Sequence, residues 1–126
     1  MLTITIQKLG DVSIFHCSGR ITAGHEDLLR TAVRRQSRAR TIVLDLAEIE
    51  AVDAAGLGML VSLREWTRGN GAQIKIMNVT PRVDQVLRLT KLRSSFEVCS
   101  VREMMDLMCR ARLSSQFEAT AAMAGA

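Results

Sequence analysis

The segment TIVLDLAEIEAVDAAGLGMLVSLREWTRG, residues 41–69, is the most informative part of the chain. It opens with Ile42, Val43, Leu44 and Leu46, a nearly unbroken apolar run of the kind found in strands that are covered on both faces. A short acidic connection, residues 48–53, follows, and the apolar residues after it recur at helical spacing. The stretch therefore predicts a buried strand that delivers a turn to the front of a helix, where we expect function to lie.

The start of that helix carries an acid and two glycines. Asp53 suits the N-cap position because its carboxylate can accept hydrogen bonds from the free backbone N–H groups of the first turn. Gly56 and Gly58 each cost roughly 1 kcal/mol relative to alanine inside a helix. Their presence indicates that another backbone, or a partner, comes close to the helix here.

The helix has two apolar stripes on nearly opposite sides, since successive residues are turned by about 100°. The first stripe consists of Leu57, Leu60 and Val61, and the second of Ala55, Met59, Leu63 and Trp66. One stripe can face the sheet. The other must either pack on a neighbouring helix or form an exposed docking surface that begins at the turn, and the sequence leaves both open.

These residues carry a resemblance to a known family. The apolar strand, the acidic turn and then Asp-x-x-Gly-Leu-Gly at residues 53–58 resemble the signature of the STAS domain, the family of bacterial anti-sigma factor antagonists. Three flanking segments fall where that family has comparable elements: Gly19-Arg20-Ile21, Gly69-Asn70-Gly71 and Asn78-Val79-Thr80-Pro81. The resemblance covers about residues 3–112.

The turn departs from the phosphorylatable members of this family at one position. In those members the turn reads Asp-Ser-Ser-Gly or close to it, and a partner kinase phosphorylates the hydroxyl residue just before the glycine. Here that residue is Ala55, preceded by Ala54, and an alanine has no oxygen to phosphorylate. We therefore expect no phosphorylation at the usual position.

The resemblance implies a non-enzymatic, partner-switching signalling domain whose chemistry is done by its partner. In the family, the unphosphorylated form binds a Ser/Thr kinase of anti-sigma type and frees the sigma factor, and phosphate at the turn ends the binding. The expected partner is an anti-sigma factor or Ser/Thr kinase, to which this domain stays permanently competent to bind. The residues expected at the contact are Thr22, Asp53, Ala54, Ala55, Gly56, Leu57, Met59 and Leu63.

Two other functions are open to this sequence. STAS-like domains also serve as scaffolds in signalling assemblies or as accessory subunits of transporters. Met59, Leu63 and Trp66 would then form a permanent interface, including that of a homodimer. The other function is binding of a small anion or nucleotide by the free N–H groups at the helix start, against which Asp53 argues.

Composition and charge narrow the class further. A hydrophobic content of 48% with a single proline predicts one folded globule. The N-terminus has no signal-peptide pattern and no span approaches about 18 uninterrupted apolar residues, so we expect a cytoplasmic protein without direct membrane insertion.

The net charge of +4 comes with a cluster of arginines that closes a predicted helix: Arg34, Arg35, Arg38 and Arg40. No aromatic residues sit among them to stack on bases, and we expect no nucleic acid.

The residues that could do chemistry lack suitable partners. Cys17, Cys99 and Cys109 have neither CxxC nor CxxH spacing, which favours reduced thiols over a metal site with His16 or His25. His16 and Cys17 are neighbours in a strand and so point to opposite faces. Asp45 and Asp53 are the best carboxylate candidates, but neither has an evident His, Lys or Ser partner. We expect no catalytic residue, metal or cofactor, and Asp45 is interpreted as a structural acid.

The order of the predicted elements gives an α/β architecture. Right-handed crossovers place the later strands parallel, so we expect a single domain with a mixed, mostly parallel sheet of about five strands, an antiparallel edge pair and four helices. The last helix begins at a capping box, residues 100–103, and its stripe of Val101, Met104, Met105 and Met108 is typical of core. The domain is expected to span residues 1–112, followed by a flexible or partly helical tail at 113–126.

Overall fold

The computed structural model describes residues 1–36, 38–114 and 117–123. These residues form six strands and four helices, and the predicted α/β class is confirmed. The strands are β1 (Leu2–Leu9), β2 (Val12–Ile21), β3 (Thr41–Val52), β4 (Gln73–Met77), β5 (Glu97–Val98) and β6 (Phe117–Met123). The helices are α1 (Glu26–Arg34), α2 (Ala54–Gly69), α3 (Pro81–Leu89) and α4 (Val101–Ser114), with a short 3₁₀ turn at Arg93–Ser95.

The six strands form one mixed sheet in the order β5-β4-β3-β2-β1-β6. Strands β2 to β5 run parallel to one another, while β1 runs antiparallel to β2 and to β6. The predicted antiparallel pair therefore exists. The sheet has one strand more than expected, because β6 pairs with β1 on its outer side.

The predicted tail is wrong for most of the residues that the structure describes there. Residues 113 and 114 belong to α4, and 117–123 form β6, whose backbone pairs with β1 from Leu9↔Phe117 to Thr3↔Met123. Composition did not predict this strand, since alanine is depleted in strands and Ala119, Ala121 and Ala122 fall within it. Residues 115, 116 and 124–126 lie outside the described residues.

The expected acidic connection after the central strand is also wrong. β3 continues to Val52, and its last part pairs with the end of β2 through two register shifts, with Ser18↔Glu48 and Ile21↔Val52 among the pairs. Glu48 and Glu50 are exposed while Ile49 and Val52 are buried, so this part of the strand still places side chains in the core, although the register shifts break the strict alternation. The sequence predicted a loop here because the polar side chains of Glu48 and Glu50 interrupt the apolar run.

The two faces of the sheet are covered by different helices. The face that carries Ile4, Phe15, Leu44 and Ile76 forms the main core with α1, α2 and α3. The opposite face has a smaller cluster of Leu9, Val12, Ile14, Val43 and Cys99, against which α4 lays Met104 and Leu107. Lys75 helps to hold α4 there, since its Nζ donates to Glu103 Oε2 at 2.8 Å, and this hydrogen bond raises the pKa of Lys75.

A row of polar side chains crosses this second face. His16 Nδ1 lies 2.7 Å from Asp45 Oδ2, and the other ring nitrogen lies 3.1 Å from Gln7 Oε1. Asp45 Oδ1 accepts from the Ala47 backbone N–H and from Asn78 Nδ2, both at 3.1 Å. Asp45 therefore ties β2 to β3 and to the residue that follows β4, which supports the interpretation of a structural acid.

Replacing this acid should destabilise the fold. Asp45→Ala leaves the Asn78 amide, the Ala47 N–H and a His16 ring nitrogen without their protein acceptor, and we expect a loss of about 1–2 kcal/mol in the free energy of unfolding. Urea denaturation measures it. Glu48→Ala, at an exposed position of the same strand, is the control and should stay within about 0.5 kcal/mol of the parent. Equal effects of the two variants would contradict a structural role for Asp45.

Candidate functional site

The ends of β2 and β3 bring two loops together. The strands are parallel neighbours and their last residues pair, Ile21 with Val52. Because the carboxyl ends of parallel strands meet at one edge of a sheet, the loop that follows β2 lies beside the turn that follows β3. The exposed parts of Thr22–His25 and Asp53–Gly58 form a continuous surface, which we call the turn surface.

Asp53 fastens the two halves of the turn surface to each other. Its Oδ1 accepts from the Gly56 N–H at 2.8 Å, as predicted for an N-cap, and its Oδ2 accepts from the Ala23 N–H at 2.9 Å. These donors favour the ionised form, so the pKa of Asp53 is lowered, chiefly by Ala23 and then by Gly56. One carboxylate thus caps α2 and holds the neighbouring loop against it.

Gly56 explains how the helix can start so close to the sheet. A Cβ placed on Gly56 would lie 2.0 Å from the backbone oxygen of Ile21, a distance that no side chain tolerates. Asp53 N–H also donates to this oxygen, at 3.3 Å. The predicted close approach at Gly56 is therefore made by the chain's own backbone.

Gly58 has no such explanation. It is exposed on α2, and a Cβ placed there meets no atom of the described chain within 4 Å beyond its own stretch of helix. Its backbone φ is not in the left-handed region that favours glycine. Glycine at this position therefore lowers the stability of the helix, and no contact within the described chain compensates for that loss. The close approach predicted at Gly58 is not made by the described chain.

The predicted contact residues divide into surface and core. Ala54 is exposed, and Thr22, Asp53 and Ala55 are partly exposed. Leu57 and Gly56 are buried, which makes them supports of the turn surface. Met59 and Leu63 are only 2% and 1% exposed, and including them in a contact surface was wrong. They lie in the main core because the second stripe of α2 is covered by the protein itself, which the helical spacing left undecided.

The same burial removes the residue-based argument for a permanent interface. The three residues named for it were Met59, Leu63 and Trp66, and the first two are core while Trp66 is partly buried against that core. α2 contacts α1 as well as β3 and β4, so both of its apolar stripes have partners within the chain. A scaffold or homodimer would need another surface.

The second face of the sheet holds a pair that the sequence did not reveal. Asp45 has a histidine neighbour after all, His16, with side chains 15% and 40% exposed. Both lie on strands at positions that alternate away from the main core, but only the register of β2 against β3 brings them together. Both ring nitrogens of His16 already have side-chain neighbours, Asp45 and Gln7, which is the arrangement of a structural contact.

The cysteines and the basic cluster occupy separate places. Cys17 is buried in the main core, on the face opposite His16 as predicted, and burial raises the pKa of its thiol to about 12, with a smaller contribution from Asp45. Within the described part of the chain, no three His, Cys, Asp or Glu side chains are grouped as they would be around a metal ion. The four arginines of the predicted basic cluster are all exposed. No described helix has the length and apolar character needed to cross a membrane.

One component of the site was missed altogether. The Ala23 N–H is the second donor to Asp53, although only Thr22 of that loop was expected to matter. Thr22 itself bonds within the loop, with Oγ1 3.2 Å from His25 Nδ1. The signal was present in the strand order, since a parallel β2–β3 pair must place Thr22–His25 next to Asp53.

Comparisons with known proteins agree with the fold of this chain. The family model described as "STAS domain" matches residues 3–104. A STAS-domain containing protein of Pseudomonas aeruginosa (strain UCBPP-PA14) is 32% identical over 81 residues, which cover 64% of this chain and 80% of that protein. The family match ends within α4, so β6 lies beyond it.

Two solved structures show how widely this fold is used. The anti-sigma factor antagonist SpoIIAA in its unphosphorylated form superposes with a TM-score of 0.69 at 14% identity, over 86% of this chain and 96% of that one. A sulfate transporter family protein from Wolinella succinogenes superposes with a TM-score of 0.65 at 17% identity, over 82% of this chain and 87% of that one. At these identities the likeness concerns the fold alone.

The two glycines at the start of α2 should respond oppositely to alanine. Gly56→Ala drives a methyl group into the Ile21 carbonyl, and we expect a loss of about 1–3 kcal/mol in the free energy of unfolding. Gly58→Ala enters open space in a helix and should gain about 0.4–1 kcal/mol. Urea denaturation of the two variants side by side measures both. A loss of stability in Gly58→Ala would show that the chain itself needs this glycine.

Asp53 accepts hydrogen bonds from Ala23 and Gly56, a pair of contacts that we call the Asp53 clamp. This clamp should make the stability of the fold depend on pH. Because the pKa of this carboxyl is lower in the folded state, its contribution is present above the unfolded value of about 3.9 and is lost as the pH falls through the folded pKa. Asp53→Asn should therefore be less stable than the parent at pH 7. This difference in stability, the stability gap, should become smaller as the pH is lowered below about 4. Thermal melts across this range measure the gap. A gap that is constant with pH would contradict the clamp.

Proposed function

The chain belongs to the STAS domain family, and from this premise we propose that it is a non-enzymatic partner-switching module similar to anti-sigma factor antagonists. Its turn surface binds a protein partner, a Ser/Thr kinase of anti-sigma type. The observation that carries the proposal is the pairing of a rigidly held turn with an exposed glycine that the described chain does not need, Gly58.

The turn surface is preorganised for binding. Asp53 holds both loops by charge-assisted hydrogen bonds, and the contact of Gly56 with Ile21 fixes the distance between α2 and the sheet. A partner that docks here orders little additional chain, so a smaller part of its interaction energy is lost to ordering. The small residues Ala54, Ala55 and Gly58 leave room for side chains of the partner to reach the backbone of α2.

Charge at this surface would act as the off signal. A phosphoserine brings about −1.5 to −2 charges, and beside Asp53 that charge would oppose a contact through like-charge repulsion and desolvation. At position 55 this chain has alanine, so the usual modification has no acceptor oxygen. The domain is therefore permanently competent to bind, and its regulation lies in its expression or in the nucleotide state of its partner.

Catalysis and anion binding fit the site less well than binding of a protein partner does. The carboxylate of Asp53 already accepts from the N–H of Gly56 at the start of α2, so a free anion would compete with an acid of the chain itself. In the family that this chain belongs to, the reacting groups are those of the partner kinase. We assign no catalytic residue and no cofactor to this domain.

The partner can be found and the surface tested in one experiment. The full chain is used to capture proteins from its native cytosol with and without ATP, and the captured kinase-type protein is then titrated calorimetrically. Ala55→Glu should weaken binding about tenfold or more, because it puts a negative charge beside Asp53 that the partner would bury. Ala55→Ser, which adds an oxygen without charge, should bind within about twofold of the parent until it is phosphorylated.

Gln85→Glu is the matched control for that titration. It adds the same charge at an exposed position of α3 that is not one of the residues of the turn surface, and it should leave the affinity unchanged. If Ala55→Glu binds as tightly as the parent and the control, the turn surface is not the contact.

A further inference from the structure

The outer side of α4 carries an unusual group of sulfur-containing side chains. Met105 is 61% exposed, Met108 is 47% exposed, and the thiol of Cys109 is also on the surface. Met104 and Leu107 of the same helix pack against the sheet instead. The expectation that the methionine stripe is core is therefore wrong for Met105 and Met108, and the question is what two exposed thioethers and a thiol do together.

Helical spacing makes Met105 the shared neighbour of the other two residues. Cys109 follows Met105 by four residues and Met108 follows it by three, so Met105 has both as neighbours on its face, with Cβ atoms about 5–6 Å apart. A methionine side chain has three rotatable bonds and adapts its sulfur position readily. The three sulfur atoms can thus converge without any change in the backbone of α4.

Two thioethers and a thiolate are a ligand set for a soft metal ion. Thioether sulfur is neutral and polarisable, and with a thiolate it selects monovalent copper over ions that prefer oxygen or imidazole. The other two thiols do not compete, because Cys17 and Cys99 are buried and burial raises the pKa of both. The exposed group on α4 is then the thiol-containing site that a metal ion can reach in the described residues.

We propose that Met105, Met108 and Cys109 form a surface site for monovalent copper. It lies on the face of the sheet opposite α1, α2 and α3, so it is separate from the turn surface and does not depend on the function proposed there. Each methionine supplies a neutral sulfur, and Cys109 supplies the negative charge once its proton is displaced by the metal.

The test is a competition for copper between the full chain and a chromophoric copper(I) chelator, bicinchoninate, under reducing and anaerobic conditions. The parent chain should withhold about one equivalent of copper(I) per molecule. Cys109→Ser should weaken the site at least tenfold. The double variant Met105→Leu with Met108→Leu keeps the apolar surface but removes both thioethers, and it should also weaken the site at least tenfold.

Met104→Leu is the matched control, since Met104 is on the same helix but packs inward, and this variant should keep the parent's affinity. The proposal is overturned if the parent withholds no copper from the chelator. It is also overturned if the double leucine variant binds copper within twofold of the parent, since Cys109 would then act alone. Because all three side chains are exposed, circular dichroism should show the same fold in every variant.

Discussion

The site depends on a single carboxylate. Asp53 accepts one hydrogen bond from the first turn of α2 and one from the loop after β2, and so converts the ends of two parallel strands into one surface. Without it, the free N–H groups at the start of α2 and the N–H of Ala23 would have to be satisfied by water, and the two loops would be free to separate. The contact between the two loops of the turn surface therefore depends on Asp53.

The two glycines of α2 show how one sequence feature can have two causes. Gly56 is required by the fold, since the Ile21 carbonyl lies where a side chain would be. Gly58 faces open space and lowers the stability of the isolated helix. A residue that costs stability and has no structural use in the described chain is expected where function sets the sequence, and Gly58 lies about one turn beyond Ala55 on the turn surface.

The sequence predicted those parts of the molecule that depend on local periodicity. The continuous apolar run of β3 and the N-cap at Asp53 were both confirmed, because each is encoded within a few neighbouring residues. The features it missed depend on pairing between distant segments. His16 meets Asp45 through strand register, β6 exists through its pairing with β1, and Met59 and Leu63 are buried because α2 has neighbours on both sides.

Binding of a protein partner at the turn surface can be observed residue by residue by nuclear magnetic resonance of the complex. With the captured kinase-type partner added to the labelled full chain, the amide signals of Ala23, Gly24, Ala54, Ala55 and Gly58 should shift most strongly. The signals of α4 should not move, since that helix lies on the other face of the sheet. Shifts confined to α4 or to the β4–β5 edge, with those five amides unchanged, would contradict the account.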